Sequence, residues 1–220
     1  MQITNLNRLT NGRIHEPEKS AAETAVYRPE KTSMSDLTPE GCAFFDKISY
    51  LTTEEFRHVK AAFNIARREH GTQRRKSGEL FFTHPLTVAC YLADYHLDAP
   101  ALAAALLHDV AEDTKVSIEQ LRDQFGPEVA MLVDGVTKLK DVSAGVAKGK
   151  QGRQLTKDEL QDATLAKMLG FMTDDVRVVI IKLFDRLHNM RTIKAMSPKS
   201  QRRKAQETLD VYAPLANRLG

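Results

Sequence analysis

The chain has 220 residues, 42% of them hydrophobic, enough to bury the core of one large domain. Its 32 Lys and Arg against 29 Asp and Glu leave a net charge of +3, too small by itself to indicate a DNA-binding protein. No apolar run reaches the roughly eighteen residues that cross a membrane, and the N-terminus lacks the apolar segment of a secretory signal. Two cysteines without metal-type spacing, Cys42 and Cys90, fit a reducing, cytoplasmic compartment, with Cys90 a small buried hydrophobe.

Residues 1–37 mix Asn, Thr, Pro, Glu and Ser with few apolar positions and read as a flexible extension; 38–220 form the domain. Phe44, Phe45, Ile48 and Leu51 give helical spacing over 39–50. Thr52 or Thr53 caps a helix from about Glu54 to His70, with Gly71 as its stop. A basic loop, GTQRRKSGELFFTHP, follows. Pro85 begins a helix to about Leu97, and Asp98 with Pro100 opens the helix that carries HDVAED. Ser117 with Gln120 forms a capping box for a short helix ended by Gly126, and Pro127 starts the next.

Residues 141–157 hold three glycines and several Lys and Arg, and read as a mobile basic linker. Helices are expected at 158–172, 174–195 and 198–217, the last interrupted near Pro214. VRVVIIKLF, the one ambiguous apolar run, reads as buried helix because of its length and polar successors. With no strand alternation of useful length, the fold class is all-α.

The segment LLHDVAEDT carries the sharpest chemical signal. It sets His108 beside Asp109, with Glu112 and Asp113 three and four positions further on. Residues at i, i+3 and i+4 share a helix face, so three carboxylates crowd one patch beside an imidazole. Such a patch is self-repelling unless a cation sits in it. The plain alternative is a solvated acidic helix end. His84, before a proline, and Asp185, in KLFDRLHNMRT, complete a candidate set with His108 and Asp109: two imidazoles and two carboxylates. That set suits Mn²⁺, Fe²⁺ or Zn²⁺ with positions left for water. Glu112 and Asp113 can position water and move a proton, with the division of labour left open.

His188, Asn189 and Thr192 follow Asp185 at i+3, i+4 and i+7. His188 reads as a buried hydrogen-bonding tie between helices; Asn189 and Thr192 read as substrate contacts. Arg74, Arg75, Lys76, Ser77 and Gly78 precede His84 and suit an anionic substrate, since a guanidinium forks onto phosphate or stacks on a base.

RRKSGELFFTHP, ALLHDVAEDT, VDGVTKL and IKLFDRLHNMRT, in that order, resemble the hydrolase domain of the RelA/SpoT alarmone enzymes over roughly residues 50–220. The resemblance implies an HD-domain helical bundle that removes the 3′-diphosphate of (p)ppGpp, giving GDP or GTP and pyrophosphate, with Mn²⁺. It puts the metal ligands on His84, His108, Asp109 and Asp185, the catalytic pair on Glu112 and Asp113, and nucleotide binding on Arg75, Lys76, Ser77, Asn189 and Thr192. The synthetase half of long family members is absent, and the resemblance implies one as a C-terminal partner domain in a full-length protein. Leu80, Phe81 and Phe184 depart from the family pattern, the last where a small residue is usual and where crowding of Asp185 is expected. Two other readings compete: an HD-type phosphohydrolase of another nucleotide, and a regulatory module that binds the alarmone without turnover.

Overall fold

The computed structural model describes residues 39–145, 170 and 175–219, and the elements below are those of the described residues. Helix α1 spans Pro39–Lys47, α2 Thr53–His70, α3 Thr83–Asp94, α4 Ala99–Leu107, α5 Val110–Asp113 and α6 Ile118–Gly145. Helix α7 spans Val176–Arg191, α8 Pro198–Glu207 and α9 Ala213–Leu219. A 3₁₀ turn at Ile193–Ala195 and a π-helical turn at Thr208–Tyr212 link the last three.

The bundle is organised around α4. Its sequence, APALAAALL, is apolar on every side, and all of it except Pro100 is buried. A helix apolar all round belongs at the centre of a core. Small alanine side chains let α2, α3 and α6 pack directly against it, while α7 lies on α3 and α6. Close approach recurs at Gly135 of α6, where an added Cβ would sit 2.9 Å from a Val178 methyl of α7. At the end of the core nearest α3, Phe63 stacks edge-on against Phe82 with ring centroids 4.9 Å apart. Phe82 immediately precedes the first turn of α3, so this contact fixes where that helix begins.

Local signals set most boundaries. Thr52 accepts from the Glu55 amide while Glu55 reaches back to the Thr52 amide, the reciprocal capping box. The Ser117 and Gln120 pair does the same ahead of α6. Gly126, at φ 85°, breaks α6 into two helical segments before Pro127, at the expected junction. Helix α6 continues through Gly145, five residues into the segment read as a linker; 146–157 lie outside the described residues, as do 1–37 and most of 158–172.

One further expectation needs correction. The helix opened by Asp98 does not carry HDVAED without a break: α4 stops at Leu107, His108 and Asp109 form a turn, and α5 restarts at Val110. The final helix is interrupted near Pro214, as expected. A π turn just before the proline rearranges the backbone hydrogen bonds that its missing N–H would have interrupted, and the chain stays helical to Leu219.

Arg177 ties three elements together. Its guanidinium donates to Asp98 at 2.6 Å, Glu128 at 2.8 Å and Asp175 at 2.6 Å. Asp98 and Asp175 are themselves the N-caps of α4 and α7. Hydrogen bonding from Arg177 holds the Asp175 carboxyl below its ordinary value of 3.8. A depressed carboxyl contributes stability that is complete above its ordinary value and is lost as pH falls through the lower folded value. Arg177→Ala is therefore expected to lower stability by about 1–3 kcal/mol at neutral pH. It should also flatten the acid limb of the stability curve below pH ~4. Urea titrations across pH check both.

Candidate metal centre

Three side chains from two places in the bundle gather at one point, and a fourth, from α7, touches one of them. His84 comes from the first turn of α3, His108 and Asp109 from the turn between α4 and α5, and Asp185 from α7. His84, His108 and Asp109 each offer a ligand atom within 4.8 Å of the others. His84 Nε2 lies 3.5 Å from Asp109 Oδ2 and 3.1 Å from Asp185 Oδ1, and His108 Nε2 lies 3.4 Å from Asp109 Oδ2. All four residues are buried. His108 and Asp109 keep near-helical backbone angles, and adjacent residues diverge by about 100°, so their side chains reach one point by leaning toward each other.

The surroundings orient these groups. His108 Nδ1 donates to the Ala105 carbonyl at 2.7 Å, which leaves the lone pair on Nε2, a buried atom with no hydrogen-bond partner. His84 Nδ1 lies 2.6 Å from His188 Nδ1, so one nitrogen donates and the other accepts. Burial first, then the neighbouring His84 and Arg75, pushes His188 down to about 4. His188 is thus neutral at ordinary pH, and the Nδ1 contact holds the His84 ring with Nε2 facing Asp109 and Asp185. This is the outer-shell logic by which metal-binding imidazoles are aimed. The expected role of His188 as a tie between helices is what the geometry gives.

Asp185 is held on both oxygens. Oδ1 accepts from Asn189 Nδ2 at 2.5 Å, and Oδ2 accepts from buried Lys182 at 2.6 Å. Burial alone would raise the carboxyl, but the Lys182 ammonium, the His84 hydrogen bond and both imidazoles hold it well below the carboxylate range. The set fits a divalent cation: two imidazoles and the Asp109 carboxylate gather with Asp185 beside His84, and His108 Nε2 is a buried atom with no other partner.

A cavity of about 390 Å³ opens onto this cluster, lined by Arg75, Phe81, His84, Asp109, Asp113 and Asp185, and further along by Lys182, Arg186, Arg203, Lys204, Glu207 and Tyr212. A second cavity of about 240 Å³ adjoins it, sharing Arg75 and Phe81 and adding Arg74, Lys76, Ser77, Thr192, Ala195 and Met196. The basic loop between them is rigidly built. Arg74 and Leu80 form an isolated β-bridge, Arg75 N–H donates to the Glu79 carbonyl at 2.9 Å, and Gly78 turns the chain at φ 90°. Arg75 spans both cavities and donates through Nη2 to Asn189 Oδ1 at 3.0 Å.

A family model described as "HD domain" matches residues 62–220, with the His108-Asp109 pair inside it. The chain belongs to the HD-domain family. This HD domain is 46% identical over 170 residues to a "GTP pyrophosphokinase" of Streptomyces coelicolor, covering 77% of this chain and 19% of that protein. It is 44% identical over 172 residues to the "Bifunctional (p)ppGpp synthase/hydrolase SpoT" of Escherichia coli, covering 78% and 23%. The chain spans about a fifth of the length of the curated relatives it matches. A solved structure described under "A metazoan ortholog of SpoT hydrolyzes ppGpp and plays a role in starvation responses" superposes with a TM-score of 0.53 at 29% identity, over 70% of this chain and 83% of that one. The resemblance to RelA/SpoT proteins and the all-α HD fold are thus both shown.

Within this HD domain, the sequence-expected residues divide between the two cavities. Arg75 and Asn189 line the first, Lys76, Ser77 and Thr192 the second. Of the acidic pair, Asp113 lines the first cavity; Glu112 is half-buried and lies outside its lining. The Asp113 amide donates to the Asp109 carbonyl at 2.9 Å, so helical pitch survives the break and stacks these two residues on one face. Phe184 does not crowd the site: its ring packs among Tyr91 and Tyr95, at 5.7 and 5.5 Å. Sequence reasoning missed Lys182, Arg186, Arg203 and Lys204. Lys182 had a visible signal, its i, i+3, i+7 spacing with Asp185 and Asn189. The run Arg202–Lys204 looked like ordinary solvated charge.

Proposed function

We propose that this HD domain hydrolyses the 3′-diphosphate of (p)ppGpp, releasing pyrophosphate and GDP or GTP, with Mn²⁺ as the cation. The observation that carries the reading is the joining of two cavities at Arg75: one walled by the imidazole–carboxylate cluster, the other by the basic loop. A nucleotide carrying phosphates on both sides of its ribose is a ligand of that shape and charge. The names carried by the relatives supply the substrate class.

His84, His108, Asp109 and Asp185 would hold the ion, which when bound lowers the pKa of water and polarises a phosphoryl oxygen. Arg75, Lys76 and Ser77 hold the base and phosphates, with Asn189 and Thr192 completing the pocket. Asp113 faces the chamber and exchanges a proton at the reacting centre. Water adds to the phosphorus attached to O3′, the bond to O3′ breaks, and the departing alkoxide needs the proton that an acid delivers. Lys182 keeps Asp185 ionised and oriented.

Relatives roughly four times as long support a further domain, such as a synthetase, in the native protein. Purified protein is expected to release pyrophosphate from ppGpp in the presence of Mn²⁺ and to lose that activity on chelation. Failure to cleave ppGpp with the ion bound and the helical fold intact would overturn the reading. A panel of other phosphorylated nucleotides tests the rival substrate class.

A further inference from the structure

Besides Arg75, four cations line the first cavity, with Glu207 and Tyr212 among them. Lys182 and Arg186 come from α7, Arg203 and Lys204 from α8. Most of this charge is answered. Lys182 pairs with Asp185 at 2.6 Å, Arg186 with Glu207 at 2.6 Å, and Arg203 stands 4.0 Å from Glu207. Arg186 is further pinned by the Tyr212 ring, 4.1 Å from its guanidinium carbon. The Lys204 ammonium is different: among the described residues no carboxylate lies within ion-pair distance of it. Burial, then the neighbouring Arg186, holds it below the usual lysine range, the mark of positive charge short of a counter-ion.

The division of groups between the cavities gives this charge a meaning. The second cavity, with its basic loop, shares Arg75 and Phe81 with the first and has none of the α8 cations, whereas Lys204 and the imidazole–carboxylate cluster line the first together. On the hydrolase reading proposed above, the base and the 5′ side occupy the loop end and the phosphorus bonded to O3′ lies at the cluster. The distal phosphate of the 3′-diphosphate then shares the first cavity with the cations that α7 and α8 add to its lining. We infer that Lys204 is the specificity-determining contact for that distal phosphate, and that the wall of Lys204, Arg203 and Arg186 is the pyrophosphate subsite. The subsite selects a 3′-diphosphate over a 3′-monophosphate and holds the pyrophosphate product until it leaves.

The test uses inorganic pyrophosphate and, separately, GDP as calorimetric probes of the Mn²⁺-loaded protein. Lys204→Ala is expected to weaken pyrophosphate roughly tenfold to a hundredfold, the loss of one charge-assisted contact. GDP affinity should stay within about twofold, a change that is small beside the tenfold step of 1.4 kcal/mol. Lys204→Arg restores most of the pyrophosphate affinity, because it keeps the charge at the same point of α8. In turnover, Lys204→Ala narrows the preference for ppGpp over guanosine 5′-diphosphate 3′-monophosphate. Unchanged pyrophosphate binding in Lys204→Ala overturns the assignment. So does equal weakening of GDP and pyrophosphate, which would mean the whole chamber had shifted. Pyrophosphate binding that depends on Lys204 without ppGpp cleavage keeps the subsite and removes the substrate reading; cleavage with Lys204-independent pyrophosphate binding does the reverse.

Discussion

His108→Ala is expected to abolish pyrophosphate release and to weaken Mn²⁺ binding by more than a hundredfold. Loss of an outer-shell partner commonly lowers metal affinity about 10–100-fold, and removal of a direct ligand exceeds that. The imidazole is 1% exposed and is locked by its Nδ1 bond to the Ala105 carbonyl, so no nearby side chain can swing in to replace it. The substitution also empties a packed position, and a stability loss of about 2–4 kcal/mol accompanies the effect on the ion. His108→Gln separates the two: it fills most of the space without restoring an imidazole lone pair. Metal content after dialysis, read beside thermal unfolding, checks the outcome. A His108→Ala protein that retained its ion would remove His108 from the ligand set.

Asp113→Asn is expected to lower kcat by about 10²–10⁴ while leaving Mn²⁺ affinity and KM nearly unchanged, the signature of a lost proton-transfer group. Glu112→Gln should cost less, because Glu112 lies outside the cavity lining whereas Asp113 lies within it. The adjacent positions look equivalent in the sequence and are distinguished only by the turn of α5. Steady-state kinetics on the two variants decides the ranking. Equal losses would mean that the carboxylates act as a unit, each needing the other.

Much of the bundle could be read from residues because its signals are local. The Thr52–Glu55 and Ser117–Gln120 boxes, Gly71, and the Gly126–Pro127 junction each act within a few positions. The candidate metal set was legible because His84, His108, Asp109 and Asp185 are unusual in their company. What escaped depended on distant contacts or on a departure from regularity. The break between α4 and α5 has no Gly or Pro to announce it, and His108 and Asp109 keep near-helical backbone angles. Arg177 reaches Asp98 and Glu128, 79 and 49 positions away, and nothing near it in the chain reveals those partners. Lys204 sits in a basic run that resembles solvated surface until α8 is laid across the chamber.

The alanine-rich axis α4 sets how much the centre can tolerate. Three of the four ligands ride on α3 or on the turn leaving α4, and the fourth rides on α7, which leans on α3. Every spacing in the cluster is therefore a sum of side-chain radii along this seam. One extra methylene at Ala103 or Ala104 would act as a misplaced shim, wedging helices apart by a fraction of an ångström. Coordination is less forgiving of such spreading than hydrophobic contact is, so wear in the interior would register first as a looser ion and only later as a lower melting temperature.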